Sequence, residues 1–572
     1  MQRRSFIKKL SLAAVPLTLG GIPMRLMADN SLTRMASQST NDRVLIILQM
    51  HGGNDGLNAV IPITDYDQYY FQRPNIAIPL KNSTRKVIPV DLTLPTDAQV
   101  GFHPDMIGMK DLYDRGRMAI VQGVSYKYNN GSHFRGRDIS FMGGSFDDYF
   151  SSGWVGRYLQ KEFAPKTYPT DFPNPDMLDP LAIEMGNDVS LIFHQVGNIP
   201  TSISINDPKG FAALVNGLPG YQDQGIDPRG YPPAALLNSP YGKEMNWILG
   251  LEKKSKDYAE RLYEVYKASS PTIITYPEVY PFNAPSGSLR NGLTPQLQLV
   301  ARLLDGGGAG KGVKTKVFLV KIGGFDTHAG QVESYNATMG SHAALMYHIS
   351  SAMLAFQNDL KARGLEDRVL TVTTSEFGRR VHSNGSYGTD HGTGGPMYIF
   401  GKGAHPGVVG KVPDLTKDNV EMQYDYRQVY ASLLKDWMLV DEKVINNDIF
   451  FKNFISGTKE EGVGNYQPLV LAEQVISGVQ DDFINERFSL QECYPNPAKE
   501  TTTIGFRINS SSLVGLTLLD SKGTSVKTIL NEELAAGEHS VEVHMSGLAA
   551  GVYFYQLKIG FFEETKKLIV IE

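Results

Sequence analysis

Acidic and histidine side chains follow several predicted strands of this sequence, an arrangement suited to a divalent metal ion. The most prominent stretch, Thr389–Gly403, contains Asp390 and His391, then a glycine-rich turn and a short apolar strand. Carboxylate and imidazole groups bind divalent cations, and glycines let the backbone approach a small charged group closely. A histidine that only caps a turn is the alternative for His391, and this stretch alone does not decide between them.

Three more predicted strands, Val44–Leu48, Lys316–Val320 and Arg368–Thr373, are continuous apolar runs typical of a buried parallel sheet. In open α/β sheets, chemistry gathers at the carboxyl ends of the strands. The groups that follow these three strands are Asp55, Asp326, His328 and Glu376. Carboxylates in one pocket repel one another unless a cation lies between them. With Asp390 and His391, these residues therefore predict a metal site.

A possible nucleophile follows the strand Met118–Val121, where the chain turns into a helix with Ser132 as the predicted N-cap. A serine at a helix N-terminus suits attack on a tetrahedral anion, because the helix amides and dipole stabilise that anion. His133 stands beside it, and Arg135 and Arg379 are candidates to bind the remaining oxygens of the anion.

These residues also have structural alternatives. Ser132 would only cap its helix, and Asp55 would hold its own glycine-rich turn. Glu376 would form an ion pair with Arg379 or Arg380.

The composition is that of a globular protein. The chain has 572 residues, of which 41% are hydrophobic and 20% charged, enough for one large core and a smaller module. A net charge of −5 implies no general attraction to nucleic acid or to an anionic membrane. Because Cys493 is the single cysteine, an internal disulfide and a cysteine-rich zinc site are both excluded.

The first residues predict an export signal rather than part of the fold. Arg3 and Arg4 precede a mild apolar run, Ser11–Ile22, that is too short to span a bilayer. We interpret residues 1–28 as a twin-arginine signal, with an ordinary secretory signal as the alternative. The mature chain would then contain no integral membrane segment.

Alternating strands and helices predict a mainly parallel sheet covered by helices on both faces, an α/β fold over residues 41–456. Residues 165–295 are rich in Pro, Asn, Gly and Tyr and are interpreted as an insertion or cap. Residues 457–482 are expected to be a linker. Residues 483–572 contain six or seven short strands with period-two alternation, which predicts a β-sandwich.

Several motifs together resemble a large family of twin-arginine-exported bacterial proteins, the domain of unknown function 1501. The matching motifs are Gly324–His328, Ser375–Arg379, Gly388–Gly394, Gly52–Asn58 and Ser132–Phe134. The resemblance spans roughly Arg43–Phe454. That family is grouped with the alkaline phosphatase and sulfatase superfamily, which implies an α/β/α sandwich and a metal-dependent ester hydrolase.

The resemblance also implies roles for individual residues. His391, Asp326 and His328 would share one metal, and Asp55 and Glu376 would hold a second or share the first. Ser132 would stand where the superfamily keeps its nucleophile. Zinc is the first choice of metal, with calcium or magnesium as alternatives. Alkaline phosphatases have an Asp-His pair where this chain has Glu376 and Phe377, so the number of metals stays open.

The tail resembles a type IX secretion sorting domain, through Tyr494–Pro497, Gly551–Tyr555 and Lys566–Val570. This implies passage across the outer membrane to the cell surface or the medium. The expected function is a secreted metal-dependent hydrolase of phosphate or sulfate esters, with a small molecule or a glycan as substrate. The alternative is a non-catalytic surface protein that binds glycan or protein.

Overall fold

The computed structural model describes residues 17–19, 22–24, 41–210, 255, 257–455, 470–472, 489–508, 512–520, 524–535, 537–559 and 562–571. The chain divides into two units, residues 1–42 and 43–572. In the first unit, Leu17–Leu19 and Ile22–Met24 form an antiparallel pair. The rest of the predicted signal and most of the predicted linker lie outside the described residues.

The second unit contains a large sheet with one antiparallel strand. Its strands are β1 (Val44–His51), β2 (Met118–Ser125), β3 (Ala182–Met185), β4 (Ser202–Ile205), β5 (Val317–Gly323), β6 (Val369–Ser375), β7 (Gly395–Phe400), β8 (Gly407–Val409) and β9 (Tyr424–Asp425). Their order is β4-β3-β5-β1-β6-β7-β2-β8, and β9 also pairs with β2. Only β7 is antiparallel to its neighbours. The carboxyl ends of β1, β2, β5 and β6 therefore share one edge with the amino end of β7.

Helices cover both faces of this sheet. They are α1 (Gly56–Ala59), α2 (Tyr66–Gln72), α3 (Ile107–Asp114), α4 (His133–Met142), α5 (Trp154–Glu162), α6 (Thr294–Asp305), α7 (Ser341–Ala362), α8 (Tyr426–Ser432) and α9 (Glu442–Val444), and residues 257–268 are also helical. Shorter turns are the 3-10 helices Thr96–Ala98, Leu191–Phe193 and Ser286–Ser288 and the π-helices Leu433–Trp437 and Ile445–Ile449.

The apolar β-branched strands are buried because each contributes to two hydrophobic cores. In β1, Ile46 and Leu48 pack with α3, α6 and α7, whereas Leu45 and Ile47 pack with α4, α5 and α8. Each such side chain contributes roughly 1.5–3 kcal/mol when fully buried. The predicted α/β/α arrangement is confirmed.

Residues 165–295 are partly integrated into this core. Within them, β3 and β4 pair in parallel with each other, and β3 pairs in parallel with β5, so they extend one side of the main sheet. The interpretation of the whole segment as an insertion or cap is therefore corrected. Small antiparallel pairings flank the sheet, formed by Val60–Pro62, Val100–Phe102 and Ile88–Pro89, and by His194–Gln195 and Ile199–Pro200.

The C-terminal strands form two antiparallel sheets. They are β10 (Ser489–Leu490), β11 (Thr501–Ile508), β12 (Ser512–Leu519), β13 (Ser525–Leu534), β14 (Gly537–His544), β15 (Gly551–Ile559) and β16 (Phe562–Val570). The sheet orders are β10-β11-β14 and β13-β12-β15-β16. Alternate residues of β11, such as Ile504 and Phe506, are buried in a separate core, which confirms the predicted β-sandwich. Among the described residues, no helix is long and apolar enough to cross a membrane.

Candidate metal centre

The sheet topology brings three segments that are distant in sequence to one edge. His133 begins α4 after β2, Asp326 and His328 follow β5, and His391 precedes β7. Because β7 runs against its neighbours, the residues before it lie at the edge where the parallel strands end. The glycine-rich stretch around His391 therefore meets the other strand ends.

Three imidazole rings converge on one carboxylate oxygen. Oδ1 of Asp326 lies 3.5 Å from Nε2 of His133 and 3.5 Å from Nε2 of His391. The same oxygen lies 3.3 Å from Nε2 of His328, which is itself 2.8 Å from Nε2 of His391. Four ligands placed tetrahedrally around zinc lie about 3.3 Å apart, given the usual bond lengths. The separations of Asp326 Oδ1 from the three imidazole nitrogens are close to this value.

Unsatisfied polar atoms support this fit. Both ring nitrogens of His133 are buried and have no hydrogen-bond partner among the described residues. A buried polar atom without a partner is costly, and a bound cation would satisfy one of these two nitrogens. One ligand atom each of His133, Asp326 and His391 lies within 4.8 Å of the others.

The charge states of these groups also suit metal binding. Burial raises the pKa of Asp326, but the hydrogen bond and charge of Arg379, with smaller effects of His133 and His328, outweigh it and lower the pKa to about 2. Burial lowers the pKa of His391, and the positive charge of Arg379 lowers it further. An ionised carboxylate beside a neutral imidazole is the form that binds a cation.

Arg379 holds the surrounding loops together rather than facing a substrate. It is 1% exposed, and its guanidinium donates to the carbonyl oxygens of Gly53 at 2.8 Å, Thr389 at 2.9 Å and Phe325 at 3.0 Å. It also donates to Oδ1 of Asp326 at 2.8 Å. The predicted role of Arg379 as a substrate clamp is therefore replaced by a positioning role.

Asp390 contacts the imidazole cluster through His328. Its Oδ1 is 3.4 Å from Nδ1 of His328 and accepts a 3.1 Å hydrogen bond from Asn384. The pKa of Asp390 is lowered chiefly by that hydrogen bond from Asn384, with a smaller contribution from His328. A carboxylate on the far nitrogen of a ligand histidine fixes its tautomer and orientation. Asp390 is placed to orient His328.

Asp55, predicted as a metal ligand, forms a buried ion pair with Arg73 instead. It is fully buried, its carboxylate lies 2.7 Å from Nη1 of Arg73, and it accepts a hydrogen bond from Gln331. Burial raises the pKa of Asp55, but Arg73 and the other partners lower it overall. Since its charge is neutralised by a buried arginine, we omit Asp55 from the ligand set.

Glu376 also has a structural position. Its carboxylate accepts hydrogen bonds of 3.0 Å from the backbone amides of Gly52 and Gly53, instead of pairing with Arg379 or Arg380. Gly52 has φ +122°, and a Cβ there would collide with the backbone at Asp326. Glu376 therefore holds the turn that follows β1 beside Asp326, and we omit it from the candidate ligand set as well.

Ser132 caps α4 as predicted and stands at the cluster. Its Oγ accepts a 3.4 Å hydrogen bond from the backbone amide of Arg135. Gly131, with φ +66°, packs so closely that an added Cβ would lie 3.1 Å from Cβ of His391. Ser132 therefore lies between Gly131, which packs against His391, and His133, which is part of the cluster.

Arg135, predicted to bind the substrate anion, instead binds the loop that contains Phe146 and Asp148. Its guanidinium donates to the carbonyl oxygen of Phe146 at 2.7 Å and to that of Asp148. It also lies 4.0 Å from the ring centroid of Tyr149. These contacts remove Arg135 from the candidate centre.

The sequence placed His133 among the catalytic candidates and marked Phe377 only as a departure from the Asp-His pair of alkaline phosphatases. The ring of Phe377 lies 4.8 Å from that of His133 and 4.6 Å from that of His391, centroid to centroid. It supports both imidazoles with an apolar surface. The available signal was its place in the motif Ser375–Arg379, next to the end of β6.

Two parts of the chain match known family models. Residues 296–449 match the family described as a protein of unknown function, DUF1501, and residues 492–571 match the secretion system C-terminal sorting domain. No match was found among curated proteins.

Several solved structures are similar to this chain at low sequence identity. The PsFucS1 sulfatase from Pseudoalteromonas sp. has 9% identity, with 91% of this chain and 89% of that chain covered and a TM-score of 0.29. A protein in the alkaline phosphatase superfamily from Vibrio parahaemolyticus has 10% identity, with 82% and 76% covered and a TM-score of 0.28. Dimeric latent PorU from Porphyromonas gingivalis has 19% identity, but the match covers 15% of this chain and 9% of PorU, with a TM-score of 0.13.

The sorting domain indicates export by the type IX secretion machinery to the cell surface or beyond. Residues 296–449 of this chain therefore resemble the DUF1501 family, and residues 492–571 match a C-terminal secretion sorting domain.

Proposed function

We propose that this exported protein is a metal-dependent hydrolase of phosphate or sulfate esters. The observation that carries the proposal is the convergence of three imidazole rings on Oδ1 of Asp326, at distances of 3.3 to 3.5 Å. Three histidines and one carboxylate lie at the carboxyl edge of a parallel sheet, where active sites of α/β folds are found.

The proposed ligands are His133, Asp326 and His391, with His328 as the fourth. A nitrogen-rich set of four favours zinc, since calcium and magnesium prefer oxygen ligands and higher coordination numbers. A bound divalent cation would supply Lewis-acid chemistry at an ester oxygen.

Ser132 is the proposed nucleophile. It lies between Gly131 and His133, both of which adjoin the cluster, and it caps the ten-residue helix α4. The free amides in the first turn of that helix would stabilise the negative charge of a bound phosphate or sulfate group. Arg379 acts indirectly, because it holds the carboxylate of Asp326 in place.

Elemental analysis combined with assays on aryl phosphate and aryl sulfate esters tests the proposal. We expect about one zinc ion per chain, and loss of both metal and turnover in Asp326→Ala and His391→Ala. Asp138→Ala is the control, because Asp138 is a half-exposed acid on helix α4 that lies 3.8 Å from Arg137. Its metal content and activity should not change.

The Ser132→Ala variant tests the proposed nucleophile separately from the proposed metal site. We expect this variant to keep its metal and to lose at least about 100-fold in turnover, as removal of a nucleophile does. Full activity in Ser132→Ala would exclude it as the nucleophile. Wild-type protein that contains neither metal nor activity would contradict the hydrolase proposal and favour a non-catalytic binding protein.

A further inference from the structure

A group of exposed aromatic rings lies next to the candidate metal centre. Tyr128, Phe134, Phe146 and Tyr149 are 63%, 77%, 41% and 82% exposed. We refer to these four residues as the aromatic platform. Single exposed apolar residues are ordinary, but grouped aromatic rings beside a candidate active site indicate a binding surface.

Contacts with neighbouring side chains hold three of the platform rings in place. The rings of Tyr128 and Phe146 meet edge to face at 4.7 Å. The guanidinium of Arg135 lies 4.0 Å from the ring centroid of Tyr149 and also donates to the carbonyl oxygen of Phe146. A ligand that stacked on these rings would lose little side-chain entropy, because the rings are already ordered.

Helix α4 connects the platform to the metal centre. His133 contributes to the cluster, Phe134 is the next residue, and Arg135 anchors the loop that carries Tyr149. The platform and the cluster are therefore connected through one helix, and a chain of linked sugar rings bound on the platform would approach the cluster along it.

The side chains among the rings indicate the chemistry of the occupant. Nζ of Lys127 lies 4.8 Å from the Tyr128 ring, the guanidinium of Arg137 lies 6.0 Å from the Phe134 ring, and Asp147 is exposed between two platform residues. The cores of protein interfaces are depleted of charged residues, so this mixture does not favour a protein partner. A sugar ring presents an apolar C–H face that stacks on an aromatic ring and has hydroxyl groups at its edge for charged side chains.

We propose that the aromatic platform binds the sugar chain of a polysaccharide whose ester group reaches the metal centre. This inference rests on the proposed function and names the substrate class of that same site. Tyr149 and Tyr128 stack on sugar rings, and the ester-bearing ring lies beyond Phe134, toward His133.

Affinity electrophoresis and calorimetry test the inference with dextran sulfate, chondroitin sulfate, dextran and phosphatidylglycerol vesicles as probes. We expect binding to at least one polysaccharide, weakened about tenfold in Tyr149→Ala and in Tyr128→Ala, because each removes a stacking surface. Phe71→Ala is the control, since Phe71 is 74% exposed on another helix, α2. It should bind like the wild type.

The inference is overturned if no polysaccharide binds, if both tyrosine variants bind like the wild type, or if vesicles bind in preference to every polysaccharide. The Asp326→Ala variant distinguishes failure of the proposed polysaccharide binding from failure of the hydrolase proposal. Polysaccharide binding in that variant, with no ester hydrolysis by the wild type, would refute the hydrolase alone. Hydrolysis of aryl esters without polysaccharide binding would refute only the platform.

Discussion

Nη2 of Arg379 lies 2.8 Å from Oδ1 of Asp326, so a fully buried cation holds a half-exposed carboxylate at the candidate metal centre. The remaining donors of Arg379 bind backbone carbonyl oxygens from the segments after β1, β5 and β6. One side chain therefore fixes both the loops and the orientation of the carboxylate on which the three imidazoles converge.

Replacement of Arg379 by Met should destabilise the fold and weaken the centre. Several buried carbonyl oxygens would lose their donors, at about 1–3 kcal/mol for each, so we expect a loss of about 3–5 kcal/mol in the free energy of unfolding. Urea denaturation measures this loss. Arg137→Met, at a half-exposed arginine, is the control and should change stability by less than about 0.5 kcal/mol. Equal stability of the two variants would contradict the positioning role.

Asp55→Ala tests whether this residue is structural. The substitution leaves Arg73 buried without its partner, so we expect a loss of about 3–5 kcal/mol in unfolding free energy. The zinc content of the folded fraction should equal that of the wild type, because Asp55 is not among the proposed ligands. Loss of the metal from folded Asp55→Ala protein would restore Asp55 as a ligand.

A buried histidine should make the fold sensitive to mild acid. Burial lowers the pKa of His342 to about 4, against an ordinary value of 6.5 in the unfolded chain. The neutral ring therefore contributes stability that is fully present above pH 6.5 and is lost as the pH falls toward 4. At pH 5 the loss is about 2 kcal/mol relative to pH 7.5.

The variant His342→Gln should lack this part of the pH dependence while it keeps a polar group beside Asn54. Urea denaturation at pH 7.5 and pH 5.0 gives the comparison. His382→Gln is the control, because its side chain is 43% exposed. A wild-type acid sensitivity that His342→Gln fully retains would exclude His342 as its source.

Gly131→Ala should impair the centre through direct contact. The substitution forces a side chain into φ +66° and places a Cβ 3.1 Å from Cβ of His391. Gly364→Ala is a matched control, since Gly364 has φ +67° and no atom within 4 Å of its added Cβ. Both variants should lose about 1–2 kcal/mol of stability from the left-handed backbone. Only Gly131→Ala should also bind zinc more weakly in an equilibrium titration, and equal affinities would count against the close contact.

Replacement of Arg3 and Arg4 by Lys should block export, if the predicted twin-arginine signal is correct. We expect precursor to accumulate in the cytoplasm, measured by fractionation and immunoblotting. A folded route suits a domain that loads its metal before transport. Normal export of the double variant, or of the wild type in cells without the twin-arginine translocase, would favour an ordinary secretory signal.

The sequence alone determined the fold class and the central strands of the main sheet, but it did not reveal β3 and β4. Continuous apolar runs such as Val44–Leu48 can only be buried on both faces, which requires a sheet covered by helices. Alternating strands such as Thr501–Ile508 bury one face only, which requires a second layer. The candidate site residues could also be recognised from the sequence. They follow the apolar runs, and the carboxyl ends of parallel strands lie at one edge of the sheet.

Only the tertiary structure decided which of those residues meet. Asp55 and Asp326 are both acids after parallel strands, yet Arg73 neutralises the first, whereas Arg379 presents the second to three imidazoles. His133 joined the cluster because β7 is antiparallel and brings His391 to the end of β2. Sequence spacing determines periodicity along one element, but contacts between side chains from different elements depend on strand order and direction.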